Sequence, residues 1–260
     1  MITSMKDAFS LKGKTAIVTG GARGLGKGIS LAFAEQGANV AIMCRGMKAA
    51  EETLKELHAI GGTHRAYQTD VTDLANCKAS VEQAIKDFGR IDILVNNSGI
   101  SCVGEVLDMG EDLANWYNVL NVDLNGSFIM SYLVGKHMKE MGGGRVINIS
   151  SNSGEMVNKP QKMAPYNVAK AGVNRLTKCL AYEWAPYNIR VNAIAPGYTD
   201  SELTNLMTPE EQAEVHAKIP VGRFGHPAEI GALAVYLASP ASEQMTGAVL
   251  TIDGGYSLAI

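Results

Sequence analysis

Cysteine is scarce, four residues in 260, and no two of them form a CxxC pair. A disulfide framework is therefore not expected in a chain of this length. The five histidines, at 58, 64, 137, 216 and 226, show neither HxxxH nor HExxH spacing, so no metal site is expected. No apolar run approaches the roughly 18 residues of a membrane-spanning helix. Met1 to Lys14 is mixed polar and lacks the apolar centre of a secretory signal, which points to the cytoplasm. An excess of one charge is also missing. The net charge is −3, which gives nucleic acid or an anionic membrane no electrostatic reason to bind. There is no internal repeat, no low-complexity segment and no linker, and Gly142-Gly143-Gly144 reads as a turn. The twelve methionines are scattered as core filler and pocket lining.

What is present is 46% hydrophobic and 19% charged, enough to bury a sizeable core. Short β-branched runs alternate with helical patterns. Strands are expected at Thr15–Thr19, Asn39–Met43, Arg65–Thr69, Ile91–Val95, Arg145–Ile149, Ile189–Ala195 and Ala248–Ile252. Helices are expected at Leu25–Gln36, Lys48–Ile60, Leu74–Phe88, Leu113–Glu140, Pro165–Trp184 and Ala228–Leu237. Gly126 and Gly135 weaken the fourth helix by about 1 kcal/mol each relative to Ala. Strands joined by crossover helices imply an α/β fold with a doubly wound parallel sheet of seven strands, as a single domain over residues 1–260. The stretch between Pro196 and Pro227 reads as irregular. Ligands bind beyond the carboxyl ends of such strands, so residues 197–227 are a candidate lid.

Thr19-Gly20-Gly21-Ala22-Arg23-Gly24-Leu25-Gly26 lies between a strand and a helix. Missing side chains at Gly20, Gly24 and Gly26 let backbone approach a diphosphate, and the helix N-terminus supplies donors and a positive dipole end. A tight turn without a ligand is the alternative. Gly21-x-x-x-x-Gly26-Lys27 is one residue short of an NTPase P-loop, and Gly28 stands where Ser or Thr would hold Mg²⁺. The second strand runs into Cys44-Arg45-Gly46 with no acid to bond ribose hydroxyls. Arg45 and Arg23 can flank a 2′-phosphate, which favours NADP(H), with NAD(H) still possible.

Tyr166-Asn167-Val168-Ala169-Lys170 places a phenol and an ammonium one helical turn apart. Free tyrosine ionises near ~10, too high for an efficient base at neutral pH, and a neighbouring cation favours phenolate. With this pair in view, the chain resembles the short-chain dehydrogenase/reductase family over essentially its whole length. Thr19–Gly26 resembles TGxxxGxG, Asp70-Val71 the adenine-contacting pair, and Asn96-Asn97-Ser98-Gly99 NNAG. Tyr166–Lys170 resembles YxxxK, Pro196-Gly197 the turn before the lid, and Asp253-Gly254-Gly255 the C-terminal DGG.

The resemblance implies a Rossmann-type fold and an NAD(P)-dependent enzyme that interconverts a secondary alcohol and a ketone. It assigns cofactor contacts to Gly20, Arg23, Gly24, Leu25, Gly26, Arg45, Asp70, Val71, Asn97, Gly99, Tyr166, Lys170, Pro196, Gly197 and Thr199. Lys170 also holds the nicotinamide ribose, and a serine at the end of the fifth strand positions the carbonyl oxygen. Family spacing back from Tyr166 lands on Ser153. Strand register lands on Ser151, which is preferred, leaving Ser153 as a polar loop residue. Asp123 stands where the family has Asn in a proton relay. Much of that role belongs to a backbone carbonyl, so Asp can serve. Asn121 and Asn125 lie two positions away and do not share its helix face. Glu183–Tyr198, with Val157-Asn158-Lys159-Pro160-Gln161, looks most like branches acting on sugars, polyols and sugar acids. A hydroxysteroid or 3-oxoacyl thioester reductase remains open, as does a nucleotide-sensing module without catalysis. The family resemblance also implies a homotetramer, built from the helices Leu113–Glu140 and Pro165–Trp184 and from the tail ending at Ile260. Gly126 and Gly135 would allow close helix approach there.

Overall fold

The first strand, β1 (Thr15–Thr19), has every residue buried, as strands covered on both faces require. Its alternate side chains enter two separate cores. Ala16 and Val18 join one with Phe33 and Ile230, while Ile17 joins the other with Val81, Met130 and Val134. The same alternation runs through β2 (Asn39–Cys44), where Val40 and Ile42 face the first core and Ala41 and Met43 the second. The remaining strands are β3 (His64–Gln68), β4 (Ile93–Asn96), β5 (Gly144–Ile149), β6 (Ile189–Pro196) and β7 (Val249–Ile252). All seven are parallel, in the order β3-β2-β1-β4-β5-β6-β7. The chain reverses direction across the sheet between β1 and β4, and in such sheets ligands bind at that point beyond the strands' carboxyl ends.

The helices are α1 (Gly24–Glu35), α2 (Met47–Ile60), α3 (Leu74–Phe88), α4 (Ala114–Val119), α5 (Gly126–Glu140), α6 (Ala164–Trp184), α7 (Pro209–Lys218) and α8 (Pro227–Ala238). The computed structural model describes residues 4–5, 7–157, 161–200, 204 and 207–258. Among them no helix is long and apolar enough to cross a membrane.

Three expectations are revised. The stretch before Pro227 is not wholly irregular, because α7 lies within it. Thr208 and Glu211 form a reciprocal capping box, with Pro209 in the first turn. The expected helix Leu113–Glu140 is interrupted by a π-helical turn, Leu120–Asn125, between α4 and α5. Leu113 itself is a left-handed cap with φ of 50°. The strand expected from Ile91 starts at Ile93, because Ile91 N–H is taken by His137 Nε2 at 3.1 Å. Gly126 and Gly135 do serve close approach, but inside the chain. A Cβ on them would lie 2.7 Å from Val71 and from Trp184.

Candidate active site

The turn after β1 is a candidate anion site. Gly20 and Gly24 have φ of +63° and +48°, a region open mainly to glycine. A Cβ on Gly26 would fall onto the Gly20 carbonyl. Arg23 caps α1 in an extended conformation with no side-chain capping bond, and the first turn carries no acid. The first N–H groups of a helix have no partner within it, and a diphosphate suits them. Gly28 has a different role. A Cβ there would lie 2.7 Å from Pro227, so it lets α8 pack on α1.

The end of β2 presents no acid. Cys44 is half-buried, and burial pushes its thiol up while Arg23 pulls the other way. Arg45 is exposed and acts on Asp70. The two guanidiniums thus border the rim where a ribose phosphate would sit. Asp70 accepts from the Thr72 hydroxyl at 2.7 Å and the Thr72 N–H at 2.9 Å, and these bonds hold its carboxyl below the usual value. Val71 is buried against Gly126. A cleft of about 280 Å³ opens here, lined by Arg45, Thr72, Ile100, Asn118, Asn121 and Val122. Asn97 is engaged elsewhere. Its Nδ2 donates to the carbonyls of Thr19 at 2.9 Å and Gly20 at 3.3 Å. Thr19 Oγ1 accepts from the N–H groups of Asn97 and Ser98, at 2.9 and 3.0 Å. This cluster ties β4 to β1 and engages both the side-chain amide and the backbone N–H of Asn97.

The reacting groups lie at the end of β5 and the start of α6. Pro165 sits in the first turn of α6, where a missing N–H does no harm. Lys170 is 4% exposed and its Nζ lies 5.4 Å from the centre of the Tyr166 ring. The ammonium donates to Ile149 O at 3.0 Å and stands 3.0 Å from Asp123 Oδ2. Burial alone would lower the Lys170 ammonium. The Asp123 carboxylate, with Tyr166 adding, outweighs burial, and the net direction is upward. Asp123 itself is fully buried on the π-helical turn. Its Oδ1 accepts from Ile100 N–H at 2.8 Å, and its backbone carbonyl accepts from Ser127 Oγ at 2.7 Å. The carboxylate as well as the carbonyl is therefore engaged in the site. Asn121 and Asn125 bond each other on the exposed side of the same turn.

Ser151 caps a 3-10 turn, Asn152–Gly154, directly after β5. Its Oγ accepts from Ser153 N–H at 3.1 Å and lies 3.0 Å from Ser153 Oγ. Ser153, expected as a polar loop residue, is instead buried and bonded to Ser151. Ser150 Oγ donates to Lys170 O at 3.2 Å and ties the strand end to α6.

Pro196 ends β6 and Gly197 follows against the C-terminal segment, where a Cβ would lie 2.5 Å from Asp253 Cβ. Asp253 accepts from the N–H groups of Gly255 and Ser257 and so orders the turn after β7. Thr199 pairs with Gly225 at the foot of the expected lid. Tyr198 donates to Gln161 Oε1 at 2.7 Å, stacks on Phe224 and meets Tyr256 edge-on. Met207 and Val215 join this cluster. Leu203, Leu206, Asn158, Lys159, Pro160 and Ile260 lie outside the described residues. A second cleft, about 310 Å³, lies under α7 and includes Glu105, Gln161, Lys162, Glu211 and Glu214. The sequence reading did not single out the Thr19 hydroxyl, which joins β1 to β4, or Ile149, whose contribution is a backbone carbonyl and carries no side-chain signature.

A family model described as enoyl-(acyl carrier protein) reductase matches residues 20–257. The NADP-dependent mannitol dehydrogenase of Alternaria alternata is 41% identical over 258 residues, covering 98% of this chain and 96% of that protein. A sorbose reductase of Candida albicans is 38% identical over 256 residues, covering 98% and 91%. The crystal structure of a short-chain type dehydrogenase/reductase from Mycobacterium marinum matches with a TM-score of 0.94 at 39% identity, covering 98% of this chain and 99% of that one.

Proposed function

The chain belongs to the short-chain dehydrogenase/reductase family, and we propose that it is an NADP(H)-dependent oxidoreductase interconverting a secondary alcohol and a ketone on a sugar, polyol or sugar acid. The observation that carries this reading is the buried Lys170 ammonium beside the Tyr166 ring, anchored to the strand end that presents Ser151. The uncapped start of α1 and the glycines at 20, 24 and 26 fit a diphosphate. Arg23 and Arg45, with no acid at the end of β2, fit the extra phosphate of NADP(H). When bound, the nicotinamide supplies or accepts the hydride.

The chain's own residues manage the oxygen and its proton. Ser151 Oγ orients the substrate oxygen and stabilises charge on it. Tyr166 Oη donates a proton to that oxygen in reduction and accepts one in oxidation. Lys170 has three N–H bonds. One goes to Ile149 O, the ammonium is ion-paired with Asp123 Oδ2, and an N–H bond is left for a ribose hydroxyl. The polyol and ketose activities named for the relatives support the substrate class.

The family model's description keeps a thioester reductase as the second reading. A panel of ketoses, sugar acids and an acetoacetyl thioester, run with NADPH and with NADH, separates the two. NADPH-linked ketose reduction is expected, and turnover of the thioester alone would overturn the proposal. We further propose a cytoplasmic homotetramer. Phe128 and Tyr132 on α5 and Tyr182 on α6 are exposed aromatics on its expected helices, and Phe128 stacks on Tyr132. Light scattering at micromolar concentration should report four chains, and a monomer would reject it.

A further inference from the structure

A backbone donor and an ammonium converge on one side chain in the site. Ile100 N–H donates to Asp123 Oδ1 at 2.8 Å, and Lys170 Nζ stands 3.0 Å from Oδ2. Only a carboxylate offers an acceptor to the N–H and a negative charge to the ammonium. A carboxamide would turn its own N–H against one of them. The carboxylate is wholly buried, and Gly99 closes over the pair. A Cβ there would lie 2.9 Å from Asp123 Oδ2 and 3.4 Å from Lys170 Nζ. Burial keeps water from screening the carboxylate, so its charge reaches its neighbours more strongly than an exposed one would. The groups acting electrostatically on Lys170 are Asp123, from the π-helical turn, and Tyr166, from its own helix. The strand end and the 3-10 turn packed against it contribute a carbonyl and neutral serines.

We infer that Asp123 is a positioning residue acting through Lys170. It fixes the ammonium between Ile149 and the π-helical turn, and it offsets part of the positive charge presented to Tyr166. Tyr166 then keeps its proton to higher pH than it would beside Lys170 alone, which favours carbonyl reduction over alcohol oxidation near neutral pH. This rests on the oxidoreductase reading above. The expected size is on the order of one pH unit, tenfold in the ratio of phenolate to phenol.

The test reads tyrosinate formation at position 166 as the ultraviolet difference between the protein and its Tyr166→Phe variant, a signal independent of turnover. In the Asp123→Asn background the midpoint should fall by roughly one pH unit. The acid limb of NADP-linked alcohol oxidation should fall with it. An unchanged midpoint overturns the inference. A shifted midpoint without turnover on any alcohol would instead defeat the oxidoreductase reading. Unpairing a buried ammonium can block folding, so Asp123→Asn with Lys170→Met removes both charges together. That double variant should titrate within about one pH unit of the parent. A rise of about two units or more would show the Lys170 charge reaching Tyr166 without offset, and would also overturn the inference.

Discussion

Ser151→Ala and Ser153→Ala remove two hydroxyls that touch each other, yet they should differ sharply in effect. Ser151 Oγ accepts from the backbone N–H of Ser153 at 3.1 Å, a bond that survives Ser153→Ala. That variant loses only the hydroxyl contact at 3.0 Å. One such bond contributes about 0.5–1.5 kcal/mol, so kcat should fall by no more than roughly tenfold. Ser151→Ala removes the group proposed to face the reacting oxygen, and loss of one such donor costs about 10²–10³ in kcat. It also leaves the Ser153 N–H buried without its acceptor, a destabilisation of about 1–3 kcal/mol. Steady-state kinetics in the ketone direction give kcat and KM. Circular dichroism melts of the same samples separate lost chemistry from lost folding. A larger kcat loss in Ser153→Ala than in Ser151→Ala would refute the assignment and make spacing from Tyr166 the better guide.

Cys44→Asp should shift preference from NADPH towards NADH by like-charge repulsion against the 2′-phosphate. Since Cys44 is half-buried, a change of at least about tenfold, ~1.4 kcal/mol, is expected in the ratio of dissociation constants by isothermal titration. Tighter NADH than NADPH binding in the unmodified protein would contradict the role given to Arg23 and Arg45. His64 Nδ1 accepts from Val40 N–H at 3.2 Å and His137 Nε2 from Ile91 N–H at 3.1 Å, and burial holds both imidazoles below their usual value. The folded state therefore binds fewer protons at these sites than the unfolded state. Their stabilisation is present above about pH 6.5 and is lost as pH falls through the lowered folded values. Melting temperature should fall with acid over that window, and less steeply in His64→Gln and His137→Gln. Equal slopes in all three proteins would dismiss the histidines as the cause.

The sheet was legible because short, largely apolar runs such as those of β1, β2 and β4 alternate with helical patterns, and the seven parallel strands fall close to the expected runs. The glycine turn after β1 was legible because Gly20, Gly24 and Gly26 meet conformational or steric demands that the structure shows directly. The helix α7 was hidden because only Val215 in it is buried, so it carries no apolar stripe, although Thr208-Pro209-Glu210-Glu211 held its start signal. The π-helical turn has no residue code, since it is a change of hydrogen-bond register within a helical pattern. The burial of Ser153 depends on the 3-10 turn after β5, which folds it back onto Ser151. The pairing of Asp123 with Lys170 joins residues distant in the chain, and only the packing of α6 on the π-helical turn brings them together. The sequence could nominate both residues, but not the distance between them.

The central claim is that Tyr166 and Lys170 form an NADP(H)-linked alcohol–ketone site acting on sugars or polyols. Its most direct test is mass spectrometry of the alcohol formed from a ketose in the presence of NADPH deuterated at its hydride-donating carbon. One deuterium should appear on the former carbonyl carbon, and formation of the labelled alcohol should be abolished or nearly so by Tyr166→Phe. Failure of the unmodified protein to place deuterium there on any ketose, or labelling that proceeds undiminished in Tyr166→Phe, would contradict the account.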